Sequence, residues 1–179
     1  REAQTIFFDD AGNRVVASKE VRVQVNREGA LNGYFGAPNM DNKNAIGERK
    51  AIQVAGRFIK DLDLGKDVEL KLGHLRHCFT CGGTANGSGR LEKPTILETI
   101  VQFRQCHKGV ESVNSDHGLI AVSVDNDGKV TNLYDTTRSV LGETDKPRSV
   151  IPSPRDGTRG AEHDAELQCQ QRIRTISRR

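Results

Sequence analysis

Two apolar runs separated by the tetrapeptide Asp125-Asn126-Asp127-Gly128 carry the strongest local signal in this sequence. Residues 118–124 precede the tetrapeptide, and residues 129–134 follow it. A polar Asp-Gly segment between apolar runs is typical of a β-hairpin, because Asn, Asp and Gly tolerate the positive φ angles that its turn requires. Whatever else the chain does, it must therefore accommodate an antiparallel pair of strands near residue 126.

Further strands are predicted on the amino-terminal side of this hairpin. Residues 5–8 and 14–17 flank a turn-rich stretch and predict an N-terminal hairpin, and alternating valines over 21–25 predict another strand. Residues 28–43 are rich in Gly, Pro, Asn and Asp and predict a loop. Period-two alternation over 67–72 and an apolar stretch over 96–104 predict two more strands.

A single amphipathic helix is predicted between these two groups of strands. Its apolar residues recur at spacings of three and four, with Asp41, Asn42 or Asn44 as candidate caps. We expect an α+β fold in which this helix packs on a curved antiparallel sheet, as in cystatin-like or PepSY-like domains. The predicted core residues are Ile52, Ile59, Leu62, Leu70, Phe103, Leu119, Ala121, Val122 and Val124.

The chain divides by composition into three predicted segments. Residues 1–43 supply N-terminal strands and a loop, residues 44–142 form the core domain, and residues 143–179 form a polar, Arg-rich tail that is flexible or helical. Residues 145–179 hold eight Lys or Arg and five acidic residues but no aromatic residue. Nucleic-acid binding is therefore disfavoured, and the absence of a long apolar run argues against a membrane span.

The middle of the sequence resembles a known family. Residues 99–105 form a strand ending in Gln, residues 108–113 begin with Lys-Gly-Val, and residues 117–130 close with Asp-Asn-Asp-Gly-Lys-Val. This order is similar to the propeptide modules of secreted thermolysin-like and fungalysin-like proteases, within the wider PepSY group, over about residues 44–140. The resemblance implies a domain that inhibits a protease or assists its folding. No His-Glu-x-x-His zinc motif accompanies it here.

Four potential metal ligands lie close together in the sequence, at His74, His77, Cys78 and Cys81. Zinc favours four nitrogen or sulfur ligands, and a Cys-x-x-Cys pair supplies two thiolates from one turn. Cys106 and the adjacent histidine are a poorly spaced second pair. Zinc is accordingly the one cofactor that the sequence suggests, and we otherwise expect none.

Disulfide formation is the alternative reading of the same cysteines. The chain opens on Arg1 without an initiator Met, which we interpret as a processed N-terminus of a secreted, extracellular protein. The candidates are Cys78, Cys81, Cys106 and Cys169, and we favour a bond from Cys78 or Cys81 to Cys106. Composition predicts the glycine-rich segment 78–89 to be a flexible loop, and such a bond would tie this loop to a neighbouring strand.

These observations favour a secreted, non-enzymatic domain that binds a protein, most directly a protease. Because loops carried by a rigid sheet commonly carry binding residues, we expect partner contacts in two loops. Their candidate residues are Gly82, Gly83, Gly87, Lys108, Gly109 and His117. One alternative is a metal- or disulfide-stabilised secreted factor with another partner. A second is a hydrolase that uses Cys106 beside His107, although neighbours on one strand point to opposite faces.

Overall fold

The protein is described here from a computed structural model, over residues 4–80, 93–112 and 117–139. Within these ranges the chain forms nine strands and one helix. In chain order they are β1 (Thr5–Phe8), β2 (Arg14–Ala17), β3 (Arg22–Val25), β4 (Leu31–Tyr34), α1 (Glu48–Asp61), β5 (Glu69–Thr80), β6 (Thr95–His107), β7 (Val110–Glu111), β8 (Leu119–Asp125) and β9 (Val130–Asp135). The helix of this part of the chain is too short and too polar to cross a membrane.

All nine strands belong to one open antiparallel sheet. The order across it is β1-β2-β3-β4-β9-β8-β6-β5, and β7 pairs with the end of β6. The predicted α+β class is therefore confirmed. The predicted N-terminal hairpin is β1–β2, and the hairpin predicted around Gly128 is β8–β9, with Gly128 at a φ of 83°.

The helix α1 lies on one face of the sheet, against β6, β8 and β9. Its two alanines, Ala51 and Ala55, are fully buried, and their small side chains allow the helix to approach the strands closely. Ile59 is also buried, one turn further along. The strand residues packed against this face are Val101, Ile120, Val122, Val124 and Leu133.

The structure confirms part of the predicted core. Ile59, Leu119, Val122 and Val124 are buried, whereas Ile52, Leu70, Phe103 and Ala121 are partly buried. The prediction for Leu62 was wrong, since this side chain is 48% exposed. Its spacing matched the apolar stripe, but α1 ends at Asp61 and Leu62 occupies the C-cap position, where the helical period no longer directs its side chain inward.

The predicted helix caps were also wrong. Gly47 is the N-cap residue, and no side chain caps the first turn. The polar residues before it are used elsewhere: Asn42 donates from its amide to Asp127, and the Asn42 carbonyl accepts from the side chain of Asn126 at 2.7 Å. The turn between β8 and β9 thus holds the chain that leads into the helix.

Two predicted loop boundaries changed for a related reason. β4 lies inside the predicted loop 28–43, because strands on both sides of it, β3 and β9, supply its hydrogen-bond partners despite its Asn and Gly. β5 continues to Thr80, so Cys78 lies in a strand rather than in the predicted flexible loop. The predicted tail, residues 143–179, lies outside the described residues.

Candidate binding pocket at the β6–β7 hairpin

The candidate site is built around the sharp turn that joins β6 to β7. Lys108 and Gly109 are its two central residues, and both have positive φ angles, of 48° and 80°. A two-residue turn with positive φ at both positions matches the right-handed twist of the paired strands, and Gly adopts this conformation without steric cost. The Lys-Gly pair therefore closes a short hairpin at the end of the sheet.

The long edge strand β5 holds this turn in place. Lys71 donates from Nζ to the carbonyl oxygen of Gly109 at 3.1 Å, and the Gly109 N–H lies 3.4 Å from Oε2 of Glu69. Lys71 and Glu69 also form an ion pair at 3.9 Å. Because both polar groups of Gly109 have partners on the neighbouring strand, the hairpin has a defined position on the sheet.

The opposite side of the site is held by Gln105, a buried residue near the end of β6. Its side-chain amide donates to the carbonyl oxygen of Arg138 at 2.7 Å, and the Arg138 N–H donates back to Gln105 Oε1 at 3.0 Å. This paired hydrogen bond fixes the chain that follows β9. The Gln105 backbone also accepts from the N–H of Ser112, at 2.9 Å.

Gly118 allows the segment that precedes β8 to approach the hairpin closely. Its φ is 77°, and an added Cβ would lie 2.8 Å from Cβ of Ser112 and 3.2 Å from Cβ of Gln105. The Gly118 carbonyl accepts from the N–H of Gln105 at 2.8 Å, and Ser112 Oγ donates to the carbonyl oxygen of His117 at 3.1 Å. A glycine is required here by conformation and by space.

Together these segments line an open cavity of about 500 Å³, in which most of the exposed surface is apolar although seven of the ten lining residues are polar or charged. Its size is within the usual range of ligand pockets. The lining residues are Gln105, Cys106, His107, Lys108, Val110, Glu111, Ser112, His117, Gly118 and Arg138. Val110 is 72% exposed, so an apolar side chain stands at the rim, while Cys106 is only 3% exposed.

Three of the predicted partner-binding residues meet at this site. Lys108 and His117 line the cavity, and Gly109 forms the turn beside it. Gly82, Gly83 and Gly87 lie outside the described residues. Sequence reasoning missed Val110 and Arg138 as lining residues, and the only available signal was the tight Lys-Gly turn that directs Val110 outward.

The predicted metal ligands do not converge along β5. His77 and Cys78 are adjacent in this strand and therefore face opposite sides of the sheet. His77 faces the helix, with Nδ1 3.3 Å from Thr99 Oγ1 and Nε2 3.9 Å from Glu48 Oε1, whereas His74 is exposed. Among residues 4–80, 93–112 and 117–139 no group of three potential ligands is found. Cys81 lies outside these ranges, so zinc stays a prediction.

The favoured disulfide needs a correction in one of its two versions. Cys78 pairs across the ladder with Glu98, and Cys106 pairs with Glu69 at the other end of β5 and β6. The two positions are separated by the length of β6 from Glu98 to Cys106, which at about 3.3 Å per residue is roughly 25 Å. A disulfide needs Cα atoms within about 7 Å. A Cys78–Cys106 bond is thus incompatible with this sheet, and both thiols are free. Cys81 and Cys169 lie outside the described residues.

The two described thiols also differ in their surroundings. Burial, and then the carboxylate of Glu98, raise the pKa of the Cys78 thiol above its ordinary value. Both effects disfavour the thiolate. The Cys106 thiol lies 3.8 Å from the carbonyl oxygen of Arg104 and reaches the cavity wall. The adjacent His107 is exposed, as expected for neighbours on one strand.

Comparison with protein-family models, curated proteins and solved structures finds no match to this chain. The fold class and the cavity are therefore supported by the structure alone. They define an α+β domain with one helix on a large antiparallel sheet and a pocket at one end of that sheet.

Proposed function

We propose that this chain is a non-enzymatic protein-binding domain whose pocket at the β6–β7 hairpin receives an apolar side chain of its partner. The observation that carries the proposal is the pocket itself. Its apolar wall lies beside a rigidly held turn, and Val110 projects from the rim. An exposed apolar side chain beside a preformed cavity loses little conformational freedom when a partner covers it.

The proposed class of partner rests on the position of the segments that resemble protease propeptides. Three sequence segments resemble secreted protease propeptides, 99–105, 108–113 and 117–130. They contribute to β6, β7 and β8, and each supplies at least one residue that lines this pocket. A helix packed on an antiparallel sheet also fits a PepSY-like or cystatin-like module. We therefore propose a secreted protease as the partner, with this domain acting as an inhibitor or as a propeptide-like folding assistant.

The test measures inhibition of a panel of secreted metallo-, serine and cysteine proteases by the full chain. Val110→Asp would place a carboxylate in the contact and should weaken inhibition at least about tenfold, since burying an unpaired charge is costly. Because Val110 is largely exposed, the variant should fold normally. The matched control is Val21→Asp, an exposed valine outside the pocket.

Two results would count against the proposal. If no protease of the panel is inhibited, the protease assignment fails. If Val110→Asp and Val21→Asp inhibit equally well, inhibition does not pass through this pocket. Unchanged unfolding midpoints of both variants ensure that a loss of inhibition is not a loss of fold.

A hydrolase is the second candidate function, because one thiol and two histidines are among the residues that line the cavity. Cys106, His107 and His117 all line it. A thiol nucleophile requires a base within hydrogen-bonding reach. Hydrolysis of an activated ester should then be lost in Cys106→Ser and retained in Cys78→Ser, which changes the other cysteine of the described residues. Equal rates in both variants would exclude Cys106 as a nucleophile.

A further inference from the structure

The strand β1 has an unusual composition for the edge of a sheet. It is the last strand on its side of the described sheet, and its sequence is Thr5-Ile6-Phe7-Phe8. Edge strands usually carry charges, prolines or bulges that block pairing with another chain. β1 has none of these, and its register with β2 is regular over all four residues.

The side chains of β1 are exposed on both faces of the sheet. Ile6 and Phe8 lie on the face that carries α1 and are 59% and 72% exposed, and Phe7 lies on the other face and is 40% exposed. The helix does not cover this region, since it contacts β6, β8 and β9. Val16 and Val23 continue the apolar row from Ile6 across β2 and β3, and both are only partly buried.

The hydrogen-bond phase of the β1–β2 ladder shows which backbone groups face outward. The N–H of Asp9 donates to the carbonyl of Asn13 at 3.0 Å, so this pair is hydrogen-bonded. Hydrogen-bonded pairs alternate along an antiparallel ladder, which makes Phe7 and Val15 the next such pair. The N–H and C=O groups of Ile6 and Phe8 therefore point away from β2, toward the open edge.

We infer that β1 pairs with β1 of a second copy of this chain, as an antiparallel, two-fold symmetric continuation of the sheet. Centred on Phe7, the pairing sets Ile6 opposite Phe8 of the other copy and uses the outward N–H and C=O groups of both residues. Phe7 faces its own symmetry mate, an aromatic pair that stabilises neighbouring strands. No charged residue of β1 opposes another, and the two-fold axis closes the assembly at two copies.

The area available for this contact sets its strength. Taking about 200 Å² for a large apolar side chain, the exposed fractions of Ile6, Phe7 and Phe8 amount to roughly 340 Å² per copy. Stable interfaces bury about 800 Å² on each partner. The structure thus fits a reversible dimer that depends on protein concentration.

Sedimentation equilibrium of the full chain from about 1 μM to about 1 mM tests this inference. The average mass should rise from 19.7 kDa toward twice that value. Phe8→Lys places a charge on the edge strand and should hold the mass at that of the monomer. The matched control is Met40→Lys, a 60% exposed residue outside the strands, which should associate like the wild type.

Hydrogen exchange at low and high concentration provides the second measurement. The amides of Ile6 and Phe8 should exchange fast in the monomer and more slowly as the dimer forms. A mass that stays at 19.7 kDa throughout, association of Phe8→Lys at wild-type strength, or growth beyond a dimer would each overturn the inference. Protection of both amides in the monomer would also overturn it, since another segment of the same chain would then cover the edge.

Discussion

Truncating Ile59 tests whether α1 is packed on the sheet as described. Ile59 is 6% exposed and contacts the sheet through the last turn of the helix, whereas Leu62, three residues later, is 48% exposed. Replacing a buried Ile by Ala removes its transfer free energy and leaves a cavity, which costs about 2–5 kcal/mol. Leu62→Ala should cost at most about 1 kcal/mol, because roughly half of its side chain is already in water.

Urea unfolding followed by circular dichroism measures both values. With an m-value of about 2 kcal/mol/M, Ile59→Ala should lower the midpoint by about 1–2.5 M, and Leu62→Ala by about 0.5 M or less. The two residues occupy the same apolar stripe in the sequence, so pattern alone predicts similar losses. Equal midpoint shifts would mean that the helix continues past Asp61 and that its described end is wrong.

Three further predictions concern single positions. Gly118→Ala should destabilise the fold by about 1–3 kcal/mol, because the φ of this residue is 77° and the added Cβ would meet Ser112. Gly56→Ala, in open space on α1, should instead stabilise the fold by up to about 1 kcal/mol. Urea midpoints compare the two variants, and midpoint shifts of the same sign would contradict the described backbone. Alkylation of Cys78 should be slow at neutral pH and faster in Glu98→Gln, since the Glu98 carboxylate contributes to the raised pKa of the Cys78 thiol. Mass spectrometry measures the rate, and an unchanged alkylation rate would remove Glu98 as a cause. Hydrogen bonds from Asn39 and Asn42 hold the pKa of Asp127 below its ordinary value of 3.8. The stability that these bonds contribute is therefore complete above about pH 4 and is lost as the pH falls through the folded-state pKa. Asp127→Asn should reduce the pH dependence of stability, measured by urea unfolding at a series of acid pH values.

Much of the fold could be predicted because its signals are local. The β8–β9 hairpin follows from Asp127-Gly128 between two apolar runs. The helix α1 follows from apolar residues that recur every three or four positions, as its buried residues Ala51, Ala55 and Ile59 do. β4 was missed because Leu31-Asn-Gly-Tyr34 has no strand pattern of its own. Its pairing depends on β9, which no local window contains.

The candidate site was predictable only in part, for the same reason. The Lys108-Gly109 turn is visible in the sequence, but the cavity also depends on Gln105 holding the backbone of Arg138, a contact between residues far apart in the chain. The zinc and disulfide hypotheses grouped Cys78 with its sequence neighbours. In the strand β5 those neighbours alternate between the two faces of the sheet. The antiparallel partner β6 places Cys106 beside Glu69, at the opposite end of β5 from Cys78.

The pairing of β4 with β9 has a consequence for how the chain folds. β1 to β4 follow one another through short turns, so their contacts can form soon after the chain has been made as far as Tyr34. Leu31–Tyr34, however, reaches its other partner only when residues 132–135 are available. Contacts between such distant segments require a large loop to close, which slows folding. During synthesis from the amino terminus the first four strands must therefore wait, with one side of β4 unpaired, until nearly all of the described domain has been made.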